Sequence, residues 1–341
     1  MIKTKHWLFF VAIWSTLTCQ AQVGGKSVYQ FLNLVTSPRQ AALGGKILTL
    51  YDEDVNQAHF NPATIHDEMD NKLSANYASY FGDINYGTAS YATTLSRSNT
   101  TLFFGMQYIN YGTFEGYDAS GQKTASFTGN EGALVVGSAT QVEDLPVYLG
   151  VNLKFITSQL ESYSSYGMGA DIGALYKDVE NGIYVAVTLR NWGYQLKTYS
   201  GINERLPTEL MVGISQDLEN MPLRWHLTLE NLQQWDIAFS NPNRAQSSID
   251  GSSTPEKVSF FNNALRHVII GAELFPKRIF NLRIGYNFRR GEELSLEEQR
   301  NFSGICLGFG LRFNHIKFNY SYSRYTLASN TSLFGLNIDL Q

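Results

Sequence analysis

The amino-acid sequence predicts an all-β protein: a 14-stranded antiparallel transmembrane β-barrel with an N-terminal plug segment containing short helices. Three observations predict it. Apolar and polar residues alternate with period two from about residue 72 to the end. The alternating segments are roughly ten residues long, which suits a tilted strand crossing a bilayer better than a soluble strand of about five or six. The connections between them are alternately short and long, as in bacterial outer-membrane barrels.

Composition agrees. The 341 residues carry a net charge of -4, so the basic footprint of a nucleic-acid partner is absent. Only 16% are charged, below the roughly 25% of soluble domains, while 20 Tyr and 21 Phe suit pleated surfaces.

The first element, residues 1–21, reads as a signal peptide. Lys3 and Lys5 precede an apolar run from Trp7 to Leu17, and Cys19-Gln20-Ala21 offers cleavage after Ala21. The run is too short to span a bilayer comfortably. Cys19 fits a lipidation site poorly, because Thr16 stands where a leucine is expected. Cleavage leaves Cys306 alone, so no internal disulfide is expected.

Residues 22–71 break the alternation. Tyr29-Gln30-Phe31-Leu32-Asn33-Leu34 suits a helical turn or two. Gly44-Gly45 and the X-Pro steps at Pro38 and Pro62 signal turns. Such a segment, placed before a barrel, is expected to fill its lumen.

Residues 72–341 form the barrel, with strands expected to begin near 72, 86, 100, 131, 147, 166, 182, 206, 222, 264, 279, 303, 316 and 331. Leu282-Arg283-Ile284-Gly285-Tyr286-Asn287-Phe288-Arg289 shows the pattern: Leu, Ile, Tyr and Phe on one face, Arg, Gly, Asn and Arg on the other. The tight connections are 96–99, 142–146, 177–181, 217–221, 276–278 and 314–315; the long ones include 110–130, 191–205, 233–263 and 290–302. Short turns are periplasmic in such barrels, so both termini are expected in the periplasm of a Gram-negative cell.

Alternation points Lys154, Asp171, Arg190, Glu209, Arg224, His226, Glu230, Glu273, Arg283, Arg312 and Asp339 into the lumen. Mixed signs there predict paired networks, since an unpaired buried charge is costly. The long loops are the candidate partner-binding surfaces. Tyr111, Phe114 and Tyr117 fall in one; Trp235, Phe239, Phe260 and Phe261 fall in another. Exposed aromatic clusters mark partner surfaces or the interfacial girdle of a barrel.

The ordered series Ser37-Pro38-Arg39-Gln40-Ala41-Ala42-Leu43-Gly44-Gly45, the acidic stretch Tyr51-Asp52-Glu53-Asp54-Val55-Asn56, and Asn61-Pro62-Ala63 resembles the PorV/PorQ family, with Tyr29 to Leu34 looking most like its PorQ branch. These are outer-membrane barrels of the type IX secretion system of Bacteroidota, related to FadL-type transporters. The resemblance implies a non-enzymatic member of an attachment complex that includes PorU-, PorV- and PorZ-like proteins. That complex processes secreted cargo and attaches it to lipopolysaccharide, and the PorQ-like member anchors the PorZ-like protein at the surface. The motif residues Ser37, Pro38, Arg39, Gly44, Gly45, Asn61, Pro62 and Ala63 would belong to the plug. The chain departs from many such barrels in ending Asp339-Leu340-Gln341 instead of on an aromatic residue, although Phe334 lies on the outward face.

Enzyme signatures are weak. Gly167-Met168-Gly169-Ala170-Asp171-Ile172-Gly173 has one residue too many for a dinucleotide loop and lacks its strand-loop-helix setting; lumen glycines making room for a plug account for it. His59, His66, His226, His267 and His315 show no metal-ligand spacing; His226 and His267 fall on adjacent strands facing inward and could meet, but are expected as hydrogen-bonded lumen residues. No Gly-x-Ser-x-Gly elbow occurs. No cofactor or catalytic residue is expected. A FadL-like transporter of hydrophobic small molecules is the rival reading, disfavoured by the charged lumen.

Overall fold

The computed structural model describes residues 27–80, 82–98, 100–238, 246–247, 253–254, 258–294, 303–324 and 330–341. The expected signal peptide and Phe239 lie outside them.

Fourteen antiparallel strands close into a barrel. In chain order they are β1 (Lys72–Ser79), β2 (Asn85–Leu95), β3 (Thr100–Phe114), β4 (Phe127–Gln141), β5 (Val147–Leu160), β6 (Tyr163–Asp178) and β7 (Ile183–Lys197). The second half runs β8 (Glu209–Asp217), β9 (Leu223–Leu229), β10 (Val268–Leu274), β11 (Phe280–Asn287), β12 (Ile305–Phe313), β13 (Ile316–Arg324) and β14 (Asn330–Asp339). Each strand pairs with its sequence neighbours, and β1 closes the ring against β14 from Lys72↔Asp339 to Ser79↔Ser332. Each of the fourteen strands has a hydrogen-bonded neighbour on both sides, which is what a sheet needs where lipid offers no hydrogen bonds. Among the described residues no helix is long and apolar enough to cross a membrane.

Inward residues are buried and outward ones exposed in alternation. Phe104, Met106 and Tyr108 on β3, Leu134 and Val136 on β4, and Leu149, Val151, Leu153 and Phe155 on β5 make a continuous exposed apolar wall. Only a lipid environment covers such a surface without cost.

Strand boundaries differ from expectation where local chemistry intervenes. β3 and β4 extend past a bulge after Asn110 and pair as far as Phe114↔Phe127, so residues assigned to a loop are strand. β8 starts at Glu209 because Pro207 has no N–H to place in the ladder. β10 starts at Val268 because the preceding residues form a short helix, α2 (Phe260–Leu265), whose N-cap Ser259 accepts the Asn262 amide. The β5–β6 connection, at the long-loop end, is unexpectedly only Glu161 and Ser162, with Glu161 in the left-handed region at φ 57.

The N-terminal segment lies inside the ring. It contains 3-10 turns at Gln30–Asn33, Val55–His59, Pro62–Thr64 and Asp67–Met69, and one short helix, α1 (Pro38–Ala42), opened by Pro38 at its first turn. α1 lies against β11–β14, whereas the Pro62–Thr64 turn lies against β4–β6, so the segment crosses the lumen from wall to wall. Two wall glycines permit this contact. A Cβ on Gly285 would stand 2.0 Å from the Leu43 carbonyl carbon, and one on Gly173 would stand 2.1 Å from Asn61 Oδ1. The glycine run at 167–173 is therefore a seat for the plug.

Candidate functional site

Two regions carry chemistry: the interface between the plug and the wall, and the aromatic residues at the long-loop end.

The plug's backbone is irregular, so its polar groups need partners from elsewhere. Wall side chains supply them. Gln107 Nε2 donates to the Phe31 carbonyl at 2.7 Å, Asn152 Nδ2 to that of Ala58 at 2.7 Å, and the Tyr86 hydroxyl to that of Val35 at 3.0 Å. The motif residues also stabilise the segment internally. Asn61 Oδ1 accepts the Ala63 amide at 3.0 Å while its Nδ2 donates to the Leu48 carbonyl at 2.9 Å. Gly44, at φ 99, turns the chain after α1, and its carbonyl accepts from Arg290 Nη2 at 2.9 Å.

Charge pairs hold both sides of the plug. Arg39 is buried and donates to both Glu273 oxygens, at 3.0 and 2.8 Å, and to Asp52 at 2.9 Å. Arg283 completes the cluster on Glu273 at 2.8 Å. On another part of the wall Lys46 reaches Glu209 at 2.6 Å, and Arg190 reaches the same carboxylate at 3.5 Å. Lys154 and Asp171 pair between strands at 2.8 Å. Arg224 pairs with Asp217 and approaches Asp52 at 3.6 Å. Buried pairs of this kind fix register and position more than they add stability.

Most of the expected lumen charges are thus buried and paired. Arg312 is corrected: it stands at the short-turn rim, with its side chain 42% exposed, and pairs there with Glu53. Asp339, at the same rim, pairs with Lys72 at 2.6 Å. Glu230 is buried but lies just past the end of β9. The lumen is also less uniformly polar than expected. Phe103, Ile109, Val135, Ile156 and Leu175 point inward, and Phe31, Leu32, Tyr86 and Ile109 share one apolar cluster. Sequence reasoning missed Glu131, a buried lumen carboxylate that accepts from Tyr111 at 2.5 Å. Apolar residues on both faces of β4 blur the period there.

His226 and His267 do not meet. His226 faces Ser215 and Gly271 across the ladders, whereas His267 lies just before β10, bonded to the carbonyls of Glu230 at 2.7 Å and Trp235 at 3.0 Å. Among the described residues no three His, Cys, Asp or Glu side chains gather as a metal site.

The aromatic candidates divide. Tyr111 is not a loop residue; it turns inward, partly buried against the plug cluster. Phe114 stacks on Phe127 at 5.3 Å and stays exposed, and Tyr117, also exposed near the hairpin tip, donates its hydroxyl to Glu115 at 2.8 Å. At that tip Asp118 accepts from Ser120 Oγ and from the Gln122 and Ser120 amides, which holds its carboxyl below the usual range. Trp235 stacks on His267 and contacts Phe260 at 5.0 Å. Phe260 and Phe261, on the first turn of α2, are 74% and 71% exposed.

Neither a protein-family profile nor any curated protein sequence matches the chain. The fold is similar to that of two solved outer-membrane proteins. One is the toluene transporter TbuX of Ralstonia pickettii, 13% identical, with a TM-score of 0.51 over 92% of this chain and 100% of that one. The other is a FadL homologue of Pseudomonas aeruginosa, 11% identical, with a TM-score of 0.51 over 93% and 100%. At this identity the likeness is one of fold alone, a closed antiparallel β-barrel.

Proposed function

We propose that this chain is a non-enzymatic outer-membrane anchor that holds a surface protein through its long-loop face. The observation that carries the reading is the filled lumen: a segment ion-paired to Glu273 and Glu209 offers a rigid mount and no wide passage for solutes. The solvent-facing pair Phe260 and Phe261, supported by Trp235, supplies the kind of apolar anchor that dominates protein interfaces. The plug motif further supports membership of the type IX attachment complex. A PorZ-like protein would then be the partner, with PorU- and PorV-like proteins alongside and lipopolysaccharide receiving the cargo. Replacing Phe260 and Phe261 together by Ala is expected to release the partner into the medium while the barrel still inserts. Retention of the partner by this variant, and by shortening of every long loop in turn, would reject the anchor.

A second reading, passage of hydrophobic small molecules, is favoured by the FadL-like fold and by the apolar cluster around Phe31 and Tyr86. Lipid or detergent co-purifying inside the barrel, displaced by a hydrophobic solute, would support it over the anchor.

A further inference from the structure

The outer wall carries an apolar groove over strands β10–β13. Its volume is about 430 Å³, within the range of pockets that hold small ligands. Two rows of outward side chains flank it. Leu282, Phe309 and Tyr320 face one another across the ladders on one side, and Ile284, Leu307 and Tyr322 do so on the other. Between the rows Arg283 pairs with Gly308. The Arg283 side chain turns inward to Glu273, and a Cβ on Gly308 would point at Ala42 of the plug, so bare backbone makes the floor. The rings at the β13 end are held in place. Phe309 packs on Tyr320 at 5.6 Å, Tyr320 packs on Phe334 at 5.2 Å, and the Tyr322 hydroxyl accepts from Asn330 Nδ2 at 3.3 Å.

The groove has a direction. Leu274, the last residue of β10, lines it at the short-turn end and faces Leu282. Tyr322 stands two residues before the long-loop end of β13. The groove therefore climbs obliquely through the apolar layer. Three strand spacings of about 4.8 Å make it about 14 Å long, roughly half of a hydrocarbon core of about 30 Å. That is the reach of a chain from one leaflet. At its foot the backbone makes the β10–β11 turn, Phe275-Pro276-Lys277-Arg278-Ile279. Phe275 and Ile279 are exposed and apolar, and Lys277 and Arg278 stand exposed between them. Lys277 lies 3.9 Å from Asp217, a carboxylate that Arg224 already holds. Among the described residues, the other short connections carry Arg97 alone, His315 alone, or the carboxylates Glu143, Asp144, Glu180 and Glu219. Two adjacent cations thus stand directly below the groove, on a side of the barrel whose turns are otherwise mostly acidic or singly basic. Cations at a membrane surface attract anionic head groups, and apolar side chains at the strand wall take hydrocarbon.

We propose that the groove and the turn together hold one anionic phospholipid of the leaflet on the short-turn side. One acyl chain lies between the two rows of side chains, and the phosphate meets Lys277 and Arg278. Neither the plug nor a surface partner enters this site.

The full chain, purified in non-ionic detergent, is titrated in turn with phosphatidylglycerol, phosphatidylcholine and lipopolysaccharide, and native mass spectrometry counts the molecules retained. One phosphatidylglycerol is expected to stay bound, about tenfold more tightly than phosphatidylcholine, with lipopolysaccharide no tighter than the latter. Equal retention of the two phospholipids would overturn recognition of the head group, and preferential retention of lipopolysaccharide would overturn the choice of lipid. Lys277→Gln combined with Arg278→Gln should bring phosphatidylglycerol down to the level of phosphatidylcholine. Leu307→Trp, which fills the groove and leaves the cations in place, should weaken both phospholipids about tenfold, and Leu282→Trp should do the same from the opposite row. Unchanged phosphatidylglycerol binding in the charge variant, or in both groove variants, would overturn the site. Resistance of each variant barrel to unfolding in detergent confirms that its fold is retained.

Discussion

At the scale of single residues, the plug interface concentrates cost in a few buried charges. Glu273 holds Arg39 and Arg283 at once, so Glu273→Ala leaves the buried Arg283 without its carboxylate and Arg39 with Asp52 in its place. Stripping one partner from a buried pair costs about 3–5 kcal/mol, and denaturant unfolding of the reconstituted barrel should register a loss of that order. Arg312 and Glu53 pair at the rim, where both are partly exposed, so Arg312→Gln should change stability by no more than about 1 kcal/mol in the same experiment. The contrast separates lumen charges that position the plug from those that merely edge it. Sequence alternation identified the inward face of both residues, but depth along the barrel axis depends on where each strand ends.

At the scale of elements, α1 docks against β11–β14 and its Gly44 turn against β10 and β11 with no room to spare. Gly285→Val would drive a branched side chain into the Leu43 carbonyl and should displace the plug from that wall. Proteolysis of the reconstituted protein, with cleavage appearing within residues 38–52, would report it; wild-type resistance in the variant would reject the seat. The β3–β4 hairpin makes a separate prediction. Bonds from Ser120 and Gln122 depress the Asp118 carboxyl below its unfolded value of about 3.9. A depressed carboxyl contributes stability that is fully present above the unfolded value and is lost as pH falls through the folded one. Protection of the Gly121 and Gln122 amides against exchange, taken relative to the intrinsic rate at each pH, should therefore fall below about pH 4 and stay constant above about pH 5. The period-two signal located both strands of this hairpin, yet it ended β3 early, because a bulge after Asn110 shifts the alternation without ending the pairing.

At the scale of the whole molecule, the ring has a larger interior than its own side chains can fill: eight-stranded barrels fill theirs, whereas barrels of 16–18 strands leave an aqueous channel. Fourteen strands therefore require an occupant, and the plug supplies the missing volume. Removing residues 27–66 while keeping the ring should convert the protein into a wide ion channel, seen as large steps of conductance in a planar bilayer that the intact chain lacks. An inserted but silent deletion variant would mean that the long loops fold inward instead. The same experiment bears on function, since an anchor needs the plug for rigidity and a transporter needs it to move.

By itself the sequence determined the barrel, its strand number and the alternation of short and long connections. These follow from local rules: a strand's faces alternate with period two, and lipid demands a closed ring of paired strands. It also marked Ser37 to Gly45 and Asn61 to Ala63 as a distinct segment before the barrel. Only the tertiary structure decided which charges meet, that His226 stands apart from His267, and that Tyr111 turns inward. Those facts depend on register, strand length and the path of an irregular segment. Neighbours in the chain do not encode them, because most of these contacts join groups on different elements, from about ten to more than two hundred positions apart, and are set by the closure of the ring as a whole.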